Sequence, residues 1–144
     1  MIMSDEEKTK KTTFDLPEEF LEQIAKDTEI DDFNLKEQLR TVVDKTQKYV
    51  EELYRQKRKF KQVDRRLRKI KGELYQYYKT DFEIKLTSSS DVLIFVERDS
   101  KYQTIKKHYD DLESIVDFLD RTIRNMNSKG WSLRNMVEME KMNI

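Results

Sequence analysis

The chain has 144 residues, 29 Lys and Arg against 29 Asp and Glu, 40% charged and 36% hydrophobic residues, two glycines and one proline. That length suits one domain, the scarcity of turn residues favours long helices over many short strands, and the modest apolar fraction calls for solvent-exposed helices or a core completed by oligomerisation. The lack of cysteine excludes disulfides, zinc–thiolate sites and a cysteine nucleophile and makes the cytoplasm the simplest compartment, while no apolar run approaches the roughly 20 residues of a membrane span.

Residues 1–14, MIMSDEEKTKKTTF, are polar and mixed in charge. They read as a disordered lead-in, not a signal peptide, which leaves 15–144 as a single domain. A first short helix is expected from Pro17 to about Lys26, capped by Asp15, with Glu18 and Glu19 at its positive end and Leu16, Phe20 and Ile24 on one face. The sequence EIDDFN breaks it. Asp15 to Glu37 carries nine acids and two lysines, so the start of the chain is acidic although the net charge is zero.

From about Leu35 to Tyr78 only Gly72 interrupts helix. Alternating steps of three and four select Leu39, Val42, Thr46, Tyr49, Leu53, Gln56, Phe60, Val63, Leu67, Ile70, Leu74 and Tyr77, of which ten are apolar. This is a heptad seam, and a helix that long would measure roughly 65 Å and needs a second long helix along it. Ile105, Tyr109, Leu112, Val116, Leu119, Ile123 and Met126 supply one with the same spacing. Asn127 to Gly130 read as its stop, followed by Trp131 and a last short helix from about Ser132 with Leu133, Met136 and Val137 as its stripe. Between the long helices, Phe82, Ile84 and Leu86 alternate with polar residues, and Val92 to Val96 allows a strand. A hairpin is therefore open over 82–97, but Ser89 or Ser90 as a cap with Asp91 behind it favours a short helix. The expected fold is mainly all-α: two long amphipathic helices packed antiparallel, short helices at either end, and an oligomer. Trp131 is expected to pack against an apolar stripe or a neighbouring subunit.

No glycine-rich phosphate loop is present, and the single histidine, His108, falls on the polar side of the second long helix. Neither a catalytic constellation, a cofactor site nor a metal site is expected, so the chain reads as a binding protein and not an enzyme. The informative feature is RQKRKFKQVDRRLRKIK, Arg55 to Lys71, with ten basic residues against Asp64 alone. The basic residues take non-seam positions while Phe60, Val63, Leu67 and Ile70 stay apolar. Solvated helix faces normally intersperse acids for local pairing, so this one suits a polyanion or an acidic segment such as Asp15–Glu37 better than water alone. Anionic membrane is a weaker fit, because the apolar edge continues a seam with a protein partner. Of the tyrosines that follow, Tyr77 falls in the seam. Tyr75 and Tyr78 are placed either to stack on unpaired bases or to pack on the second long helix.

Four features in order carry a resemblance: an acidic short helix ending in EIDDFNL, a basic long helix running into LYQYY, the connection DVL…VERDSKY, and the ending IRNMNSKGWSLRNMVEME. Over about residues 15–142 the chain resembles the UvsY family of recombination mediators of T-even-like bacteriophages. The resemblance implies a helical homo-oligomer, ring-like, that binds single-stranded DNA without sequence preference and has no enzymatic activity. It also implies two protein partners, a phage recombinase and the phage single-strand-binding protein, and the infected bacterial host's cytoplasm as location. The family's Lys-x-Arg pattern before the paired tyrosines has Lys69-Ile70-Lys71 as its nearest match here, displaced toward the N-terminus and followed by Gly72 and Glu73. The expected contact set is therefore the whole cluster, Arg58, Lys59, Lys61, Arg65, Arg66, Arg68, Lys69 and Lys71, with Tyr78. The competing class is an oligomeric helical scaffold that recognises an acidic protein and no nucleic acid.

Overall fold

The computed structural model describes residues 16–143. In chain order they form α1 (Glu18–Thr28), α2 (Leu35–Gln76), a π-helical turn (Tyr77–Asp81), α3 (Ser89–Arg98) and α4 (Ser100–Met142). No strand forms among the described residues, and the fold is all-α. The expected lead-in 1–14 and the expected cap Asp15 lie outside them. At the start of α1 the Pro17 carbonyl accepts from the Phe20 and Leu21 amides at 3.0 and 3.3 Å.

The break between α1 and α2 is held by two side chains, Gln38 and Asp31, whose Oδ1 accepts the Phe33 amide at 3.0 Å. Gln38 donates through Nε2 to the carbonyls of Asp31 and Phe33, both at 2.7 Å, and accepts the Asp31 amide at 3.1 Å. Asn34 takes a positive φ of 57°, which an asparagine tolerates better than most residues. EIDDFN thus ends one helix and starts the next with its backbone polar groups met locally.

The chain packs as two compact units. One draws on residues up to Gln56 and from Ser114 onward, the other is Lys57–Glu113. In the first unit Ile24 of α1, Val42 and Tyr49 of α2 and Met126 of α4 form a buried cluster. Leu35 joins Leu133 and Val137 in another. Early α2 residues meeting late α4 residues make the two helices antiparallel there. In the second unit the Phe60 and Tyr109 rings lie 4.8 Å apart. Leu74, Val92 and Val96 form its buried cluster, with Ile70, Tyr75, Tyr78, Leu86 and Tyr102 around it. The order is again antiparallel.

The α2 seam follows the expected alternation. Val42, Tyr49, Leu53, Gln56, Val63 and Leu74 are buried, and Leu39, Thr46, Phe60, Leu67 and Ile70 are half-buried. It departs only at Tyr77, 45% exposed, where the helix widens into the π turn and Phe82 donates to the Tyr77 carbonyl.

α4 differs from expectation. It does not stop at Asn127–Gly130 to begin a separate short helix: it is continuous to Met142. No glycine takes a positive φ, so Gly130 makes no left-handed cap. It lies inside the helix facing Val42. The buried line is Ile105, Leu112, Ile115, Leu119, Thr122, Met126, Lys129, Leu133 and Val137. Of the expected seam Tyr109, Val116 and Ile123 are half-buried, and Ile115 and Thr122, not expected in it, are buried beside them. Leu119, Met126 and Leu133 are fully enclosed and contribute about 1.5–3 kcal/mol each by burial. Polar groups in this line are satisfied on the spot: Thr122 Oγ1 donates to the Phe118 carbonyl at 3.0 Å, and Lys129 Nζ to the Asp27 carbonyl at 2.5 Å. Trp131 is 66% exposed with the Arg134 guanidinium 5.5 Å from its ring, so within this chain it does not pack into the core.

Asp27 fastens α1 in place. The Tyr49 hydroxyl donates to Oδ2, Gln23 Nε2 donates to Oδ1 at 2.9 Å, and Lys45 Nζ pairs with Oδ1 at 3.2 Å. Burial would raise this carboxyl, but the bonds from Tyr49, Lys45 and Gln23 and the Lys45 charge together hold it below the usual carboxylate range. Burial and the Asp27 bond push the Tyr49 hydroxyl up, while burial and the like charge of Lys45 push Lys129 down.

Residues 82–97 resolve into an irregular stretch and a helix. Ser88, one residue earlier than expected, caps α3 by accepting the Asp91 amide at 3.2 Å. Phe82 and Leu86 turn inward, whereas Ile84 is 59% exposed.

Candidate nucleic-acid interface

All ten basic residues between Arg55 and Lys71 are exposed, while Val63 is buried and Phe60, Leu67 and Ile70 are half-buried. Arg55 closes the first unit, and the rest of the stretch belongs to the second. The heptad spacing produces this separation: apolar positions turn to α4 and the intervening residues turn to solvent. Arg55 pairs with Glu52 at 3.2 Å and Glu51 at 4.0 Å, and Arg68 pairs with Asp64 at 3.0 Å. Lys57, Arg58, Lys59, Lys61, Arg65, Arg66, Lys69 and Lys71 have no ion-pair partner among the described residues. Unpaired like charges along one helix repel each other, and an anion laid against them relieves that repulsion.

Tyr78 is placed differently from the lysines and arginines. Its hydroxyl donates to Asp99 Oδ2 at 2.7 Å, and its ring lies 4.9 Å from Phe82 and 5.7 Å from Phe95. The Asp99 bond, helped by burial, pushes the hydroxyl up to about 12, and the same bond pulls the Asp99 carboxyl down. Asp99 Oδ1 also accepts the Lys101 amide at 2.8 Å, capping the start of α4. Tyr78 thus packs on α3 and is tied to the start of α4. Tyr75 joins the buried cluster beneath it, with the Lys79 ammonium 6.0 Å from its ring. Tyr77, expected in the seam, is the tyrosine of the three whose ring reaches solvent most.

Beside the basic face, two neighbouring cavities open where α2 meets the start of α4. One, of about 610 Å³, is lined by Arg66, Ile70, Ser100, Lys101, Thr104, Ile105 and His108. The other, of about 500 Å³, is lined by Ile70, Glu73, Leu74, Tyr77, Tyr78, Asp99 and Lys101. Sequence reasoning did not connect Lys101 and His108 with the basic stretch, because they are some forty residues away along the chain. Only antiparallel packing brings them beside Arg66. Among the described residues no group of His, Asp or Glu is arranged to hold a metal ion, and no helix is long and apolar enough to cross a membrane.

Fold and site together define a class: a helical protein whose long helices bury a heptad seam and turn an unpaired cationic face outward. Within that class the chain belongs to the UvsY family. The family described as "Recombination, repair and ssDNA binding protein UvsY" matches residues 23–144. Solved structures agree on the fold. A crystal structure of the bacteriophage T4 recombination mediator protein UvsY, lattice type IV, superposes with a TM-score of 0.79 at 14% identity, covering 88% of this chain and 98% of that one. Its type I and type II lattices give a TM-score of 0.76 at 14% identity, each covering 88% of this chain and 100% and 96% of theirs. A search of curated proteins finds no match.

Proposed function

We propose that this chain binds single-stranded DNA through the outward face of α2 between Lys57 and Lys71 and serves as a non-enzymatic recombination mediator. The observation that carries the reading is the run of exposed basic residues, all but Arg68 without an ion-pair partner among the described residues, on a helix whose apolar edge is already buried. Arg58, Lys59, Lys61, Arg65, Arg66, Arg68, Lys69 and Lys71 hold phosphates, while Tyr78 supports the end of the helix. Phosphate contacts carry no base identity, so the binding is indifferent to sequence. One chain offers a short footprint, and a homo-oligomer, ring-like, multiplies it into useful avidity. Val43, Val50 and Tyr54 on α2 and Trp131 on α4 leave apolar surface exposed in the first unit, which supports self-association. In the cytoplasm of an infected bacterium, a strand held this way is loosened from the phage single-strand-binding protein and offered to the phage recombinase.

Fluorescence anisotropy of a short single-stranded oligonucleotide, titrated at several salt concentrations, tests the reading. Log affinity should fall against log salt with a slope of about −0.7 per phosphate neutralised. Changing Arg65, Arg66, Arg68, Lys69 and Lys71 together to Gln should flatten that slope, weaken binding alike for all sequences and leave helix content unchanged, since Gln is a comparable helix former. No binding by the wild type, or an unchanged slope in the folded variant, would instead assign the charge to an acidic protein partner.

A further inference from the structure

A row of lysines and arginines attracts duplex as well as single strands, so the basic face by itself does not explain a preference for unpaired DNA. The geometry points to a nucleotide subsite in the groove between α2 and the start of α4: one phosphate held by Arg66, Lys101 and His108, and its base laid on the exposed ring of Tyr77. This rests on the single-strand-binding reading above and names the part of the surface that recognises an unpaired base.

The two cavities differ in the chemistry of their walls. The larger is lined by the basic residues Arg66 and Lys101 and by His108, with Ser100 and Thr104 and no acidic residue. Arg66 has no ion-pair partner among the described residues, and Lys101, whose charge also acts on Asp99, forms no direct ion pair there. The cavity also sits at the first turn of the 43-residue α4, whose dipole favours an anion. The smaller cavity holds Glu73 and Asp99 and repels a phosphate, but it offers Ile70, Leu74 and the half-exposed Tyr77 ring. Asp99 is already engaged by the Tyr78 hydroxyl and the Lys101 amide. An uncharged base with a free face suits that wall. Ile70 and Lys101 line both cavities, so adjoining parts of one nucleotide fill them together. Tyr77 is braced for the role by T-shaped contacts with Tyr78 at 5.0 Å and Phe82 at 6.2 Å, and it remains 45% exposed. In a duplex the base faces are already stacked on one another, so only an unpaired base can take this seat.

The test uses the full-length chain, a labelled oligothymidine and a duplex of the same length. Tyr77→Leu should weaken single-strand binding by at least about fivefold, leave duplex binding and the salt slope unchanged, and be rescued by Tyr77→Phe, because stacking releases no counterions. Lys101→Gln combined with His108→Gln should weaken binding and flatten the slope by about 0.7, one phosphate's share. Wild-type single-strand binding by the folded Tyr77→Leu variant, or equal losses on single strand and duplex, would overturn the subsite. The function reading would survive that result provided the five-fold Gln variant still flattens the slope. A wild-type chain with no affinity for the oligothymidine would overturn both.

Discussion

In the first unit a carboxylate, Asp27, is only 6% exposed and is met by Tyr49, Gln23 and Lys45, while a lysine, Lys129, is drawn inward to bond its carbonyl. In the second unit the buried side chains are apolar, such as Val63, Leu74, Val92, Val96, Ile105 and Leu112, and the cations between Lys57 and Lys71 face solvent. The same residue types serve as internal fastenings in one unit and as displayed charge in the other. What separates the cases is whether a partner of opposite character is packed within reach. A buried charge without one is too costly to keep, whereas an exposed one costs little and stays available.

The largest expected effect breaks the first unit's fastening. Asp27→Ala leaves the Tyr49 hydroxyl and the Lys45 ammonium without their acceptor and should cost about 3 kcal/mol in chemical denaturation. The contribution has a pH signature. Asp27 titrates lower in the folded chain than in the unfolded one, so its stabilisation is complete above the unfolded carboxylate range, about pH 4–5, and is lost as pH falls through the depressed folded value. Acid titration of wild type against Asp27→Ala should therefore show the difference between them narrowing only below about pH 4. A variant as stable as wild type at neutral pH would remove the contrast between the units.

A smaller effect belongs to the second unit. Tyr78→Phe removes the bond to Asp99 but keeps the ring on Phe82 and Phe95, and should cost about 1 kcal/mol. Its hydroxyl is raised in the folded state, so the contribution is present below the ordinary tyrosine range, near pH 10, and is lost as pH climbs through about 12. Ultraviolet titration of tyrosinate should show one late-ionising group missing in the variant.

The smallest effect sharpens the contrast. Asp64→Asn breaks an exposed pair with Arg68 and should change stability by less than about 0.5 kcal/mol. By releasing Arg68 and removing the one acid of the stretch, it should tighten single-strand binding about two- to threefold at low salt, an effect that fades as salt screens it. An equal drop in stability for Asp64→Asn and Asp27→Ala would mean that the two settings do not differ.

Much of this was legible in the sequence because α2 carries a long, almost unbroken apolar alternation. A stripe repeated that often fixes the buried face, and with it the outward face of the basic residues. α4 was harder to read. Its buried line passes through Thr122 and Lys129, polar residues made acceptable by the Phe118 and Asp27 carbonyls, which no local pattern announces. Asn-Ser-Lys-Gly has the composition of a helix end, yet Leu133 and Val137 continue the stripe beyond it and packing overrides the local signal. The basic cluster needed only local spacing. The groove beside it needed Arg66 and His108 from different helices, and a tyrosine whose exposure depends on a π turn.

That turn has a bearing on how such chains diverge. Closing five residues per hydrogen bond instead of four, Tyr77–Asp81 takes up one residue more than a regular helix would, just before the irregular stretch that leads to Ser88. A single-codon gain or loss inside α2 would rotate every later residue of the helix by about 100° and scramble its seam. Here the change would be absorbed by the loop behind it, and its main consequence would be to exchange which of two adjacent tyrosines meets solvent. Length differences among related chains should therefore gather at this point, and each would test a new aromatic surface without disturbing the helices that carry it.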